Sequence, residues 1–147
     1  MRHTFTLNDE QHGISSSDEL AAWLEKVRQL DRADISLYQV VGFRKGFEAV
    51  LCRMFGSTTK IEGKVLMAWL NGNLAYLIFE EDDDQSFHSY NPLYSGAEGA
   101  QAKFFLGGEE ENISPSSWCI SRDEALKSVM YFYEYGEKPE WIHWQKD

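Results

Sequence analysis

The sequence predicts an α+β fold in which a central antiparallel meandering β-sheet carries two main α-helices. Two segments with apolar residues at helical spacing lie near the beginning and near the end of the chain. Between them are short apolar runs rich in β-branched and aromatic residues, as is typical of strands. Two of these runs flank an Asn-Gly pair, which tolerates the positive φ of a tight hairpin turn. The length of 147 residues suits a single domain over residues 1–147.

The first predicted elements are a short strand and a capped helix. Residues 2–7 alternate loosely between apolar and polar side chains, which favours a strand. In the following segment, SSSDELAAWLEKVRQL, Ser16 and Glu19 have the spacing of a capping box. Its apolar residues form one stripe at helical period: Leu20, Trp23, Leu24 and Val27. We therefore expect a helix with one buried face.

The middle of the chain is predicted to consist of strands. The segments DISLYQVV and FEAVLCRMFG come first, and KVLMAWLNGNLAYLIFEE predicts a hairpin around Asn71-Gly72-Asn73. Both arms of this hairpin are nearly continuous in apolar residues, so we expect it to be central and covered on both faces. Residues 87–90 and the segment KFFLGG are further predicted strands, the second ending at a glycine pair.

A second helix and a short extended tail complete the prediction. The segment WCIS leads into the helix, where Ser121 and Glu124 repeat the capping-box spacing. Its expected buried stripe contains Leu126, Val129, Met130 and Tyr133. Gly136 is placed where a helix end needs a left-handed residue, and Pro139 prevents the helix from resuming. The terminal EWIHW then suits an edge strand or a docked tail with some of its side chains buried.

Net charge is the first indication of function. The chain has 24 acidic and 14 basic side chains, a net charge of −10. Nucleic acids and anionic membranes are polyanions that proteins contact with Lys and Arg, so this balance argues against both as direct partners. Either it favours a basic partner or it serves solubility alone. Nine carboxylates and one lysine between residues 80 and 111, the acidic segment, contribute −8: Glu80, Glu81, Asp82, Asp83, Asp84, Glu98, Glu109, Glu110, Glu111 and Lys103.

Three roles compete for the acidic segment. Calcium binding is disfavoured because EEDDDQ lacks the spaced oxygens and the turn glycine of a calcium loop. The carboxylates are otherwise solvated loop charges or a surface that pairs with Lys and Arg of a partner. The nearby Tyr90, Leu93 and Tyr94 have the amphipathic character of interface anchors. An ordered loop packed on its own sheet is the alternative for these three residues.

Patterns typical of enzymes, metal sites and cofactor sites are missing from the sequence. The four histidines are scattered, and neither G-x-S-x-G nor a P-loop occurs. Cys52 and Cys119 are far apart, and two buried free thiols are expected rather than a disulfide or a zinc site. The sequence has no run of about 18 apolar residues, the length that would indicate a transmembrane helix. The beginning of the chain also lacks the apolar core of a signal peptide. A cytoplasmic protein that is not an enzyme and has no cofactor is expected.

Residues 90–145 contain two informative segments, NPLYSGAEGA and KFFLGGEEENISPSSWCISRDEALKSVMYFYEYGEKPEWIHW. Through these segments, the C-terminal half of the chain resembles the first-numbered Imm family of bacterial immunity proteins. The shared features are an aromatic–Gly-Gly strand end, an acidic stretch, a small strand, a Ser-capped helix and a Pro-containing turn closing on Ile142-x-Trp144. The resemblance implies an α+β fold and a role in neutralising polymorphic toxins, among them nucleic-acid deaminases. It implies no catalytic residues.

The sequence therefore predicts an immunity protein that binds a cognate toxin domain and occludes its active site. The partner is expected to be basic and to bind in a roughly one-to-one complex, through an acidic surface that speeds encounter. Two alternatives are a small enzyme with a site assembled by folding, and an acidic adaptor or chaperone-like module. The predicted partner-binding residues are Glu80, Glu81, Asp82, Asp83, Asp84, Tyr90, Leu93, Tyr94, Glu98, Glu109, Glu110 and Glu111.

Overall fold

A long antiparallel sheet organises the part of the chain that the computed structural model describes, residues 2–40, 63–81 and 85–147. The strands are β1 (Arg2–Leu7), β2 (Glu10–Ile14), β3 (Arg32–Val40), β4 (Gly63–Asn71), β5 (Leu74–Glu81), β6 (Gln85–Tyr90), β7 (Gln101–Leu106), β8 (Glu110–Pro115), β9 (Ile120–Ser121) and β10 (His143–Lys146). The helices are α1 (Ser17–Arg28) and α2 (Arg122–Tyr135), and a 3-10 turn spans Ser116–Trp118. Within the described residues the sheet order is β10-β6-β5-β4-β3-β1-β2, with β9 beside β5. The predicted α+β class with a meandering antiparallel sheet is confirmed.

The β4–β5 hairpin lies in the middle of this sheet, as predicted. Its two-residue loop begins at Gly72, whose φ of 58° requires the conformational freedom of glycine. On one face, Leu66, Ala68 and Leu70 of β4 join the main core beneath the helices. On the other face, Trp69 and its neighbours form a second cluster with the separate β7–β8 hairpin. Both faces are covered, which explains the unbroken apolar runs.

Helix α1 has the predicted cap and nearly the predicted buried face. The Ser16 side chain accepts from the Glu19 N–H at 3.2 Å. The Glu19 carboxylate accepts from the N–H of Ser15 at 3.1 Å, one residue before the expected partner of a capping box. Leu20, Leu24 and Val27 are buried, whereas Trp23 is only partly buried and stacks on the His12 ring at 4.0 Å.

Helix α2 also has its predicted caps, but its buried face is rotated from the expected stripe. The Ser121 side chain accepts from the Glu124 N–H, and Gly136 ends the helix in the left-handed region at φ 68°. Leu126 and Val129 are buried as expected, while Met130 and Tyr133 are only partly buried against the core. The buried face also contains Ala125, Ser128 and Phe132.

The hairpin β1–β2 was not predicted beyond its first strand. Asn8 and Asp9 form its two-residue turn with φ values of 48° and 70°. Both residue types tolerate this left-handed region, so Asn-Asp between two short alternating runs was the available signal.

The tail forms β10, which pairs with β6 at the edge of the sheet. Ile142 is buried at 5% exposure, and the Trp144 indole donates from Nε1 to the Pro139 carbonyl at 3.1 Å. Trp144 is partly buried beside Phe79, with ring centroids 6.2 Å apart. The predicted edge strand is therefore confirmed.

Some predictions lie outside the described residues. They concern the strand FEAVLCRMFG, the thiol of Cys52 and the placement of Asp82–Asp84. Among the helices that the structure describes, none has the length and apolar character needed to cross a membrane.

Candidate partner-binding surface

The acidic segment is divided between the two ends of the sheet. Glu80 and Glu81 pair with the beginning of β4, at Val65 and Lys64. At the far end of β4, the Asn71 side chain donates to the Lys103 carbonyl of β7 at 3.0 Å. The chain continues from β7 through a turn to Glu109–Glu111. Val65 and Asn71 are six residues apart, about 20 Å along an extended strand. The described acidic residues therefore do not form one continuous patch.

Two hairpin turns pack together at one end and form a surface that we call the tip. It consists of the β1–β2 turn and the β7–β8 turn. The N–H of Gly107 donates to the Asp34 carboxylate at 2.8 Å. Asn8 forms two hydrogen bonds with Asp34. The Asn8 N–H donates to the Asp34 carbonyl at 2.8 Å, and the Asn8 side-chain oxygen accepts from the Asp34 N–H at 2.9 Å. A Cβ at Gly107 would collide with the Asp9 carboxylate, so the turns are in close contact.

The tip exposes carboxylates that are largely free of ion pairs. Asp9, Glu10, Glu109 and Glu110 are all exposed. In residues 2–40, 63–81 and 85–147, no Lys or Arg forms an ion pair with any of these four. Among the residues that the structure describes, the only ion-pair contact of Glu10 is with the His12 ring at 4.0 Å. The carboxylate of Glu111, the residue after Glu110, lies 3.6 Å from the Lys103 ammonium.

Asp34 is a half-buried carboxylate behind the tip. Burial raises the pKa of Asp34, the hydrogen bond from Gly107 opposes this rise, and the charge of Asp9 adds to it. Asp34, Asp9 and Glu10 were not among the predicted site residues. The Asn8-Asp9 pair was the available sequence signal for this turn, but the proximity of Asp34 and Asp9 to Gly107 depends on tertiary packing.

The opposite end of the sheet holds its negative charge differently. Lys64 lies between two carboxylates, 3.4 Å from Glu81 and 2.8 Å from Glu137, and also donates to the Gly136 carbonyl at 3.2 Å. Burial alone would lower the pKa of Lys64, but Glu137 and Glu81 together raise it. Glu80 is exposed. Ion pairing thus neutralises part of the charge that the sequence assigned to this end.

The predicted interface anchors lie at the end of β6 and in the loop between β6 and β7. Tyr90 is half-buried and pairs with His143, while the Tyr94 hydroxyl donates to the Ala97 carbonyl at 2.9 Å within the loop. Leu93 is 86% exposed and Glu98 is exposed. Of the three predicted anchors, only Leu93 projects mostly into solvent.

Two groups with potential chemistry are engaged in the fold. Cys119 is a buried free thiol, as predicted, and burial raises its pKa to about 11, which disfavours the nucleophilic thiolate. His88 is buried against the Trp118 ring at 3.8 Å, and its two ring nitrogens contact Asp147 and Gln145. Among the described residues, no group of three or more His, Cys, Asp or Glu side chains is arranged to hold a metal ion.

No protein-family model matches the chain, and no curated protein matches it. The resemblance to the Imm family therefore stays a prediction from the residues that carry it.

Proposed function

We propose that this protein is an immunity protein that binds a basic, nucleic-acid-targeting toxin domain and blocks its active site. The observation that carries the proposal is the tip, where four exposed carboxylates lie in or directly after two turns that are in close contact. A toxin that acts on DNA or RNA needs a basic groove for its substrate. An acidic surface on the inhibitor matches the potential of such a groove and accelerates capture.

Preorganisation supports the tip as the contact surface. Side chains on mobile loops lose conformational entropy when they bind, whereas side chains on fixed turns lose less. Asp34 and Asn8 connect the two turns through three hydrogen bonds of 2.8 to 2.9 Å. Exposure also matters, since carboxylates without an internal cation remain free to pair with Lys and Arg of a partner.

The direct test is co-expression with the variable C-terminal toxin domain of a secreted protein encoded beside this chain. We expect growth to be restored and the two proteins to elute as a one-to-one complex in size-exclusion chromatography with light scattering. Undiminished toxicity without a complex would contradict the proposal. Weak, salt-sensitive binding to several unrelated basic proteins would instead support the adaptor alternative.

A further inference from the structure

The outer side of α2 and the start of the tail carry three aromatic rings that contribute little to the core. Tyr135 is 64% exposed, Trp141 is 36% exposed, and Tyr131 is half-buried between them. The ring centroid of Tyr131 lies 4.6 Å from that of Tyr135 and 4.9 Å from that of Trp141. We call these three residues the aromatic platform.

The fold fixes the platform from both sides. Gly136 closes α2 directly after Tyr135, and its N–H donates to the Phe132 carbonyl at 2.8 Å. Beyond Trp141, the next residue Ile142 is buried in the main core, and β10 follows as a paired strand. The rings are therefore preorganised although they remain accessible.

The surroundings of the platform are suited to a cation. The Lys127 ammonium lies over the Trp141 ring, 4.7 Å from its centroid. This is the geometry of a cation–π contact, so the platform already accepts a positive group from its own chain. Glu134 and Glu140 precede Tyr135 and Trp141 in sequence and are exposed. In the part of the chain that is described, neither of these glutamates forms an ion pair.

We propose that the aromatic platform binds an arginine-bearing segment of a protein partner. Guanidinium groups are planar, stack on aromatic faces and pair with carboxylates, so they match both the rings and the adjoining glutamates. The net charge of −10 attracts such a segment. The platform lies at the Lys64 end of the sheet, since Lys64 contacts Gly136 and Glu137, so it is separate from the tip. The proposal holds whether or not the partner is a toxin.

A capped synthetic peptide with three arginines separated by glycines is the probe, titrated into the full chain and followed by two-dimensional NMR. We expect the resonances of Tyr131, Tyr135 and the Trp141 indole N–H to shift, and the matched lysine peptide to bind more weakly. Tyr135→Ala and Trp141→Ala should reduce affinity several-fold, whereas Leu93→Ala, which removes an exposed apolar side chain elsewhere, should leave it unchanged. Tyr135 is largely exposed, so its variant tests the platform without disturbing the core.

Two further variants separate the platform from general charge attraction. Lys127→Ala removes the internal cation and should tighten peptide binding about two- to fivefold. Glu109→Gln with Glu110→Gln removes two of the four exposed charges of the tip and should leave the platform shifts in place. The proposal is overturned if the peptide does not bind, if only the tip variant abolishes binding, or if Lys127→Ala weakens it. Concentration-dependent shifts without peptide, with a dimer in sedimentation, would also overturn it, because they would identify a second copy as the occupant.

Discussion

The two ends of the sheet both carry carboxylates, but these differ in their ion pairing. At the tip, Asp9, Glu109 and Glu110 are exposed and have no ion pair among the described residues. At the opposite end, Lys64 lies between Glu81 and Glu137 and holds the end of α2 against β4. The same residue type is therefore left without an ion pair at one end and stabilises the fold at the other. Net charge alone does not distinguish these two ends, whereas ion pairing within the described residues does.

The largest expected effect is a loss of stability when the packing between the β7–β8 hairpin and the main sheet is weakened. Phe104 is fully buried in the second cluster, in edge contact with Tyr76 at 4.7 Å. Phe104→Ala should lower the free energy of unfolding by about 3 kcal/mol, because it leaves a cavity beneath the β7–β8 hairpin. Urea unfolding followed by circular dichroism would measure this loss.

The matched control for Phe104 is its neighbour. Phe105 is only partly buried and lies beneath the Arg32 guanidinium at 4.1 Å. Phe105→Ala should cost about 1 kcal/mol. A larger cost for Phe105 than for Phe104 would contradict the described docking of the hairpin.

A smaller loss is expected at the opposite end. Trp144→Ala should lower the free energy of unfolding by about 2 kcal/mol, less than for a fully buried tryptophan, since the ring is only partly buried. Trp141→Ala is the control in the same tail and should cost about 1 kcal/mol or less. Thermal melting of both variants checks the order, and an equal or larger loss for Trp141 would count against its place in the platform.

Charge reversal at each end would compare the two ends directly in binding measurements with the proposed toxin domain. Glu110→Lys at the tip should slow association with the toxin about fivefold and weaken its salt dependence. Glu80→Lys makes the same charge change at an exposed position on the opposite end and should have a smaller effect. Stopped-flow association at two salt concentrations distinguishes them. Equal slowing by both variants would show that overall charge acts, without a localised contact at the tip.

The smallest effect is the pH dependence contributed by Asp34. Because the pKa of Asp34 is raised in the folded protein, its protonation favours folding. This contribution is fully present below the unfolded pKa, about 4, and is lost as pH rises through the higher folded value. Asp34→Asn keeps a side-chain oxygen that can accept from the Gly107 N–H, and it should remove the loss of stability that accompanies rising pH.

Unfolding free energies measured from pH 3 to pH 7 would test the Asp34 prediction. Relative to the wild type, Asp34→Asn should gain stability over this range, while Glu98→Gln on the exposed loop should change little. A variant that parallels the wild type at every pH would contradict the assignment.

Much of the fold follows from short-range patterns. Ser16 and Ser121 cap the two helices, Gly136 ends the second, and Gly72 turns the central hairpin, because each of these features depends on a few adjacent residues. The buried face of α2 was predicted less well. Tyr133 fitted the helical stripe but is only partly buried, whereas Phe132 is completely buried, since contact with the sheet sets the rotation of the helix.

The candidate site was less predictable than the fold. The sequence placed the acidic segment in one run, because Glu80 and Glu111 are joined by a short stretch of chain. Antiparallel pairing carries that stretch from one end of the sheet to the other, so neighbours in sequence become distant in space. Packing of the separate β7–β8 hairpin on the main sheet brings Gly107, nearly one hundred residues later, beside Asp9.

By itself, the sequence determined the fold class, the helix ends and turns, and the excess of negative charge. These properties are local or additive, so they can be read without knowing which residues meet. Only the tertiary structure decided which carboxylates remain unpaired and which aromatic rings stay exposed. Trp141 and Trp144 are three residues apart in one tail, yet Trp141 packs on Tyr131 on the outer side of α2 and keeps 36% of its surface exposed. Trp144 is partly buried beside Phe79, because pairing of β10 with β6 fixes the direction of its side chain.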